Sequence, residues 1–410
     1  MARELPVCNV AILHDKFRNT PEDRYMVDIA LALDEKQTTL SIYTTDSGNG
    51  DILDSTSPLD KYIRTVGTWI PSNVCGAFKR MFAVFRSIWL TSKLLIDPPS
   101  PEPSVVILDL EPIAILLLSL LSNYKTLYIY HFPHLRCSDH YDKSMCVVPP
   151  LLTLKSLRYA DEIIVQTKCL REVFQRSFPD ITEPLVLTPS YSTGLWNADT
   201  IDVRRIIPDL PTNYKLFVAF GKFMERSNFL LILEAIDKLM ISADNNLKEE
   251  LHVVIAGSYR NRSPDYYNKL TETTKGKPFA SKISFLKQLP TVHKKTLIQA
   301  ATAVIHLVDN DLYPGPIVAA MSMAKAIISI DCGFASTVLT HRISGIFIEQ
   351  DATKLATVIR KVAESPMLKT FLGNMARGKY LTDYSHKTFS DQIFSWCTRS
   401  IPDHYRSEDD

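Results

Sequence analysis

The sequence predicts an α/β chain with two doubly wound parallel sheets in tandem, and three observations carry that prediction. Short apolar runs rich in β-branched residues alternate with helical segments along most of the 410 residues. Strands separated in this way by helices pair in parallel through right-handed crossovers. The alternation breaks once, over residues 188–213, where Pro189, Pro208 and Pro211 interrupt any periodic pattern. The length corresponds to two or three domains of roughly 150 residues each. A composition of 46% hydrophobic and 22% charged residues is that of a chain with a sizeable core.

The elements follow in order. Residues 7–13 (VCNVAIL) form a short β-branched run after a proline, the pattern of a buried strand. Residues 24–33 place Val27, Ala30 and Leu31 at helical spacing, and 39–45 return as a strand ended by the polar turn 46–50. Residues 105–108, 112–121 and 126–130 repeat the strand–helix–strand unit, and 149–159, 162–166 and 167–178 supply helix, strand and helix. After the break, 215–220 is a strand and 226–240 a helix, followed by strands at 251–256, 283–285, 303–307 and 326–330. Segments 351–364, 366–381 and 387–400 read as closing helices. The division is therefore an N-terminal domain over 1–205, a C-terminal domain over 206–385, and a helix with a polar tail over 386–410, with a cleft expected between two Rossmann-like halves. Ligands of such sheets sit beyond the C-terminal ends of the strands, which nominates residues 14–23, 109–111, 131–134, 222–226, 257–260 and 310–316.

Composition excludes several classes of function. Forty-six Lys and Arg against 45 Asp and Glu leave a net charge of +1, which gives no global attraction to nucleic acid. Seven cysteines without a Cys-x-x-Cys pair read as thiols in a reducing compartment. The first apolar run is broken at once by His14, Asp15 and Lys16, so no secretory leader is expected. The richest apolar stretch, 113–121, is far short of the ~20 residues of a membrane span. No Gly-x-Gly-x-x-Gly and no phosphate-loop signature occurs, which removes the main support for hydride transfer or nucleoside triphosphate hydrolysis. Glycine is scarce: 13 of 410 residues, against a usual share of ~7%.

Six strand-end residues are candidates. His131 can donate a hydrogen bond to a hydroxyl or a developing charge, or be a satisfied core histidine. Lys222 and Arg226 can hold a phosphate as a point charge and a planar fork, or be solvated charges at a helix start. Gly257 allows close backbone approach to a ligand, or marks a turn. Asp311 and Gly315 follow the strand at 303–307. Asp309-Asn310-Asp311 matches an Asp-x-Asp metal pattern, but two acids in a loop are common and a two-half architecture does not fit it.

Residues 75–96 read as one helix with an aromatic face. Phe78, Phe82, Phe85 and Trp89 fall at i, i+4, i+7 and i+11, and Lys79, Arg86 and Lys93 flank them with Arg80 adding charge. An apolar face bordered by cations is the pattern of a helix lying in a membrane surface. The alternative is an aromatic stripe that packs on its own sheet.

His131-Phe132-Pro133, Tyr159-Ala160-Asp161, Val165-Gln166-Thr167, Thr188-Pro189-Ser190, Gly221-Lys222-Phe223 and the segments 254–259, 283–286 and 344–347 together resemble glycosyltransferase family 4. Within it they are most similar to the mannosyltransferases of dolichol-linked oligosaccharide assembly. The resemblance runs from Val10 to about Trp396 and implies a GT-B fold. The N-terminal domain would bind the acceptor and the C-terminal domain the nucleotide-sugar. It implies a retaining transfer of mannose from GDP-mannose to a dolichol-diphosphate-linked oligosaccharide, with no metal and no cofactor. His131 and Asp311 would be catalytic, and Lys222, Arg226, Gly257 and Gly315 would bind the donor. The implied partners are a membrane surface and other early glycosyltransferases, at the cytosolic face of the endoplasmic reticulum.

The sequence departs from the family pattern at four places. The Gly-Gly loop after the first strand is Arg18-Asn19-Thr20-Pro21-Glu22, and proline lacks a donor N–H. The diphosphate-binding Arg and Lys become Lys222 and Ser227. The two acids of Glu-x7-Glu become Asp311 and Ala319, and the Gly-Gly-Pro-x-Glu loop reads Gly333-Phe334-Ala335-Ser336-Thr337. Loss of a ribose-binding acid or a phosphate cation costs about 2–4 kcal/mol each. The alternative function is therefore a catalytically inactive paralogue acting as a partner or scaffold.

Overall fold

The computed structural model describes residues 8–18, 20–48, 58–72, 78–131, 155–191, 199–258, 264–309, 311–313 and 315–399. The chain divides into two compact units, one of residues 1–189 with 386–410, the other of residues 190–385.

The first unit is a parallel sheet in the order β3-β2-β1-β4-β5-β6-β7 among the described residues. Its strands are β1 (Asn9–Leu13), β2 (Thr39–Thr44), β3 (Ile63–Thr65), β4 (Val105–Leu108), β5 (Lys125–Ile129), β6 (Glu162–Val165) and β7 (Leu185–Val186). The inner strands are apolar without alternation, as strands covered by helices on both faces must be. The crossovers carry α1 (Pro21–Glu35), α2 (Lys79–Ile96), α3 (Ile113–Leu121) and α4 (Lys168–Ser177). Two short edge strands, β3 and β7, go beyond the sequence reading, since two or three residues carry no periodicity. The helix expected over 149–159 falls mostly outside the described residues.

The last helix (His386–Thr398) belongs to this unit rather than standing apart as a tail. Phe389, Ile393 and Trp396 enter the core formed by α1, β1, β2 and β4, and Ser390 Oγ donates to Ala32 O at 2.9 Å. Lys125 Nζ donates to Trp396 O at 2.7 Å and Arg399 O at 3.0 Å, placing a cation on the carbonyl end of that helix.

The second unit is a parallel sheet in the order β10-β9-β8-β11-β12-β13. The strands are β8 (Lys215–Lys222), β9 (Leu251–Ser258), β10 (Ile283–Lys287), β11 (Ala303–His306), β12 (Ala326–Ile330) and β13 (Ile346–Ile348). Its helices are α5 (Phe229–Ser242), α6 (Asn245–Glu250), α7 (Pro264–Thr274), α8 (Thr291–Ala300), α9 (Gly315–Ser322), α10 (Gly333–Val338), α11 (Ala352–Glu364) and α12 (Pro366–Asp383), so the helix at His386 is α13. Separate apolar clusters line the two faces of the sheet. The break lies at 189/190 and not at 205/206, because Val203, Ile207 and Leu210 pack into one of these clusters and carry the proline-rich segment onto the second sheet.

Gly257 has a structural reason of its own. It pairs with Gly221 across β8 and β9, and a Cβ at 257 would lie 1.9 Å from Gly221 O. Gly378, exposed within α12, has nothing within 4 Å of where its Cβ would be. Gly257→Ala is therefore expected to destabilise by about 3 kcal/mol through overpacking, and Gly378→Ala to stabilise by about 0.5–1 kcal/mol through helix propensity. Denaturant unfolding of the two variants checks both signs.

Candidate functional site

Each sheet has one topological switch point, where the strand order reverses and the crevice beyond the strand ends is widest. In the first unit it lies between β1 and β4, whose register sets Leu13 beside Leu108. The next residue on each strand is His14 and Asp109, and both side chains are buried. His14 Nδ1 stands 3.0 and 2.9 Å from the two oxygens of Asp109. Its Nε2 lies 2.8 Å from Lys16 O and 3.2 Å from Asp23 Oδ1. Burial alone would discharge this ring, but the carboxylates of Asp109 and Asp23 outweigh it and raise its pKa to about 10. Burial likewise opposes the Asp109 carboxylate, yet His14 and His131 hold it well below its ordinary range.

His131, two residues beyond β5, joins the same carboxylate: its Nε2 is 3.0 Å from Asp109 Oδ2. The Gln166 amide approaches its Nδ1 at 3.4 Å, and Tyr25 packs edge-on at 5.9 Å. With Nδ1 accepting from Gln166, the Nε2–H donates to Asp109, which fixes ring and tautomer. His131 is thus a buried, hydrogen-bonded histidine. A direct contact to a substrate requires exchanging one of those bonds. His14 and Asp109 lie in segments that the strand-end rule nominates, but only the register shows that they pair. Phe132, Pro133 and His134 lie outside the described residues.

The start of α1 is closed by its own side chains. Thr20 Oγ1 accepts from Asp23 N–H at 3.3 Å, and Asp23 Oδ2 accepts the N–H groups of Arg18 and Thr20 at 2.8 and 2.9 Å. Pro21 stands at the first turn without an N–H. This capping box takes the backbone donors that a glycine-rich loop would offer to a phosphate.

In the second unit the switch point lies between β8 and β11. Lys222 ends β8 with an exposed side chain. Arg226 is half-buried: its Nη2 donates to Asp309 O at 3.0 Å, and Asp309 N–H donates back to Arg226 O at 2.9 Å. Asn228 Nδ2 donates to Leu307 O at 2.8 Å, so three hydrogen bonds among the described residues join the β8 and β11 loops. Ser227 Oγ donates to Lys222 O at 2.5 Å, so its hydroxyl serves the turn. Asp311 Oδ1 accepts from Tyr313 N–H at 3.1 Å, and its Oδ2 lies 3.3 Å from His306 Nε2. His306 is buried and its Nδ1 has no partner among the described residues. Gly315 opens α9, with the Tyr191 hydroxyl 3.3 Å from where a Cβ would stand. The structure thus brings Lys222, Arg226, Asp311 and Gly315 to the ends of adjacent strands. Gly257 is there too, but its lack of a Cβ serves strand pairing. His306 and Tyr191 carry no sequence signal of a site.

On α2 the exposed apolar face is Phe78, Met81, Phe85 and Trp89, with Trp69 of the preceding loop edge-to-face on Trp89 at 5.4 Å. Phe82 is half-buried, so the face is rotated from the one expected. The helix starts at Lys79 after a left-handed Phe78, and residues 73–77 lie outside the described residues. Arg86 is not a flanking surface cation: it is 5% exposed and grips Asp15 through Nε and Nη2 at 2.6 and 2.7 Å. Lys93 pairs with Asp97 at 2.7 Å. No helix among the described residues is long and apolar enough to cross a membrane.

Residues 201–379 match the family of glycosyl transferases group 1. Over nearly its whole length the chain is similar to the alpha-1,3/1,6-mannosyltransferase ALG2 of Homo sapiens, at 23% identity over 97% of each chain. The Mus musculus protein of the same name is 22% identical over 96% of each. That of Dictyostelium discoideum is 20% identical over 96% of this chain and 98% of its own. Among solved structures, a glycosyltransferase from Rickettsia africae superimposes with a TM-score of 0.70 at 14% identity, over 97% of this chain and all of that one. Anabaena HepE with UDP and glucose gives 0.67 at 13% identity, over 96% and 100%. WaaG, a glycosyltransferase involved in lipopolysaccharide biosynthesis, gives 0.64 at 15% identity, over 95% and 100%. These structural likenesses are in fold, and the fold is the GT-B architecture expected from the sequence.

The buried imidazolium has a testable weight. His14→Gln leaves Asp109 and Asp23 without their counter-charge and is expected to cost about 3–5 kcal/mol in denaturant unfolding. Because the folded pKa is raised, the contribution of His14 is full below about pH 6.5 and drains as pH rises towards about 10. The stability gap between wild type and variant should narrow over that window, and a gap that widens there would refute the charged state.

Proposed function

We propose, on the premise that residues 201–379 form a glycosyl transferases group 1 domain, that the protein transfers mannose from GDP-mannose to a dolichol-diphosphate-linked oligosaccharide, with retention, in N-glycan precursor synthesis. The observation that carries this reading is the similarity over 96–97% of the chain to alpha-1,3/1,6-mannosyltransferases. The geometry of the second unit supports it. Lys222 and Arg226 stand at the β8–β11 switch point, where a diphosphate meets a point charge and a planar fork. The start of α9, opened by Gly315 and with Pro316 lacking an N–H, favours negative charge through the helix dipole. Asp311, held by Tyr313 N–H and beside His306, is the acid of that site. In the first unit Asp109 positions His131, whose ring serves the reacting sugar once one of its bonds is exchanged. The enzyme works from a membrane surface, at the cytosolic face of the endoplasmic reticulum beside other early glycosyltransferases, and rests there on the exposed Phe78, Phe85 and Trp89.

A second reading, an inactive paralogue serving as a scaffold, is favoured by the capping box that closes α1 and by Ala319 where the family has an acid. Calorimetry with GDP-mannose separates the two. Wild type is expected to bind, and replacing Lys222 and Arg226 together with Ala to weaken binding about a hundredfold or more, from two charge-assisted hydrogen bonds of about 1.5–3 kcal/mol each. No binding by the folded wild type would leave the scaffold reading, and unchanged affinity in the double variant would remove these two residues from the donor site.

A further inference from the structure

Just beyond β1 the first unit holds two cations that form no ion pair among the described residues. Lys16 Nζ donates to Ser72 Oγ at 2.8 Å, and Arg18 Nη2 donates to the same oxygen at 2.9 Å. Those distances leave the two charged heads about 6 Å apart at most, close enough to repel. The acid beside them, Asp15, has both oxygens taken by Arg86, and Asp46 Oδ1 accepts from Gly48 N–H. Burial, then the charges of Arg18 and Arg86, lowers the pKa of Lys16, with Asp15 and Asp46 only partly opposing this.

Ser72 adds a third donor. A hydroxyl has two acceptor positions and one proton. Lys16 and Arg18 fill both acceptor positions, so the O–H points away from them, and among the described residues it has no acceptor. Lys16, Arg18 and Ser72 therefore present unused N–H and O–H groups around one point, with no carboxylate in an ion pair with either cation among the described residues. A phosphate oxygen is the complementary group.

The same loop indicates where such a phosphate comes from. Trp69, three residues before Ser72, is 70% exposed and stands edge-on to Trp89, itself 41% exposed. The pair is built in. Gly67, at φ +78°, lies where a Cβ would meet the Trp89 ring at 2.6 Å, and Arg86 Nη1 ties Pro71 O at 2.8 Å. Two exposed indoles suit the boundary between headgroups and acyl chains. Met81 and Phe85 extend that ledge along α2.

We propose that Lys16, Arg18 and Ser72 form a binding site for the diphosphate of a lipid-borne acceptor, with Trp69 and Trp89 against the lipid beside it. The proposal rests on the reading that the acceptor is a polyprenyl diphosphate conjugate, and its test is a binding measurement on the full chain that needs no transfer. Flotation with phosphatidylcholine vesicles carrying a polyprenyl diphosphate is compared with plain phosphatidylcholine and with vesicles of equal charge made with phosphatidylserine. Wild type should prefer the diphosphate vesicles. Lys16→Gln and Arg18→Gln should each weaken that binding about tenfold while thermal melting shows a folded protein. Arg18 is exposed, so its variant carries the test even if Lys16→Gln unfolds. Trp69→Ser should lower vesicle binding yet leave calorimetric binding of soluble pyrophosphate unchanged.

Equal binding by the cation variants, or equal binding to the phosphatidylserine vesicles, would overturn the site. Pyrophosphate affinity as high as that for the vesicles, with no effect of Trp69→Ser, would overturn the lipid source. The two readings fail separately. If wild type transfers no mannose but the cation dependence holds, the site stands and the function falls. If it transfers mannose and the variants keep the wild-type KM for acceptor, the reverse is true.

Discussion

A buried imidazolium organises the first unit. The β1–β4 register delivers His14 and Asp109 side by side, and two carboxylates keep the ring charged where burial alone would discharge it. The other attachments run through those carboxylates. Asp109 reaches His131 and so fixes the end of β5. Asp23 links the ring to the first turn of α1. Three adjacent strands and a helix thus meet at one cation, and removing any member exposes the others to an uncompensated desolvation cost. The neighbouring Asp15–Arg86 pair extends the same logic to α2, which explains why an arginine spaced like a surface cation is buried instead.

The two sheets share a strand order but not the chemistry at their switch points. In the first, acids and imidazoles satisfy one another. In the second, the loops are joined mainly through backbone carbonyls, Arg226 to Asp309 and Asn228 to Leu307. Lys222 at the end of β8 is exposed. A floor of satisfied charges resists an incoming anion, whereas cations set against carbonyl dipoles accept one. The contrast fits the proposed placement of the nucleotide-sugar diphosphate at the second switch point, and leaves the proposed acceptor diphosphate to Lys16 and Arg18 rather than to the His14–Asp109 floor.

The alternation of strand and helix is legible because a parallel sheet covered on both faces needs unbroken apolar runs, as at residues 105–108 and 303–306. What escapes is what periodicity does not encode. The edge strands β3, β7 and β13 are too short to show a pattern. The helices α6, α8 and α10 are short and only partly apolar. The return of α13 to the first unit depends on where Phe389, Ile393 and Trp396 find a core. At the sites, sequence position finds the strand ends but not their partners. His131 and Asp311 sit where the strand-end rule puts them, while the His14–Asp109 pair and the Ser72 junction depend on register and on a loop folding back over β1.

Glycine scarcity connects these findings. A backbone phosphate site needs residues without Cβ and with free N–H groups. Here Thr20, Pro21 and Asp23 occupy the place where such a loop would stand. Gly257 and Gly67 are used for close packing against Gly221 and Trp89. On the reading proposed above, phosphate recognition in both units falls to side-chain cations: Lys16 and Arg18 in the first, Lys222 and Arg226 in the second. Cations at half-buried or exposed positions attract anions over a Debye length but are screened by salt, about 8 Å at physiological ionic strength. A backbone cradle acts at contact and is less affected. On the proposed reading, binding of diphosphates by these side chains is more dependent on salt than binding by a backbone cradle.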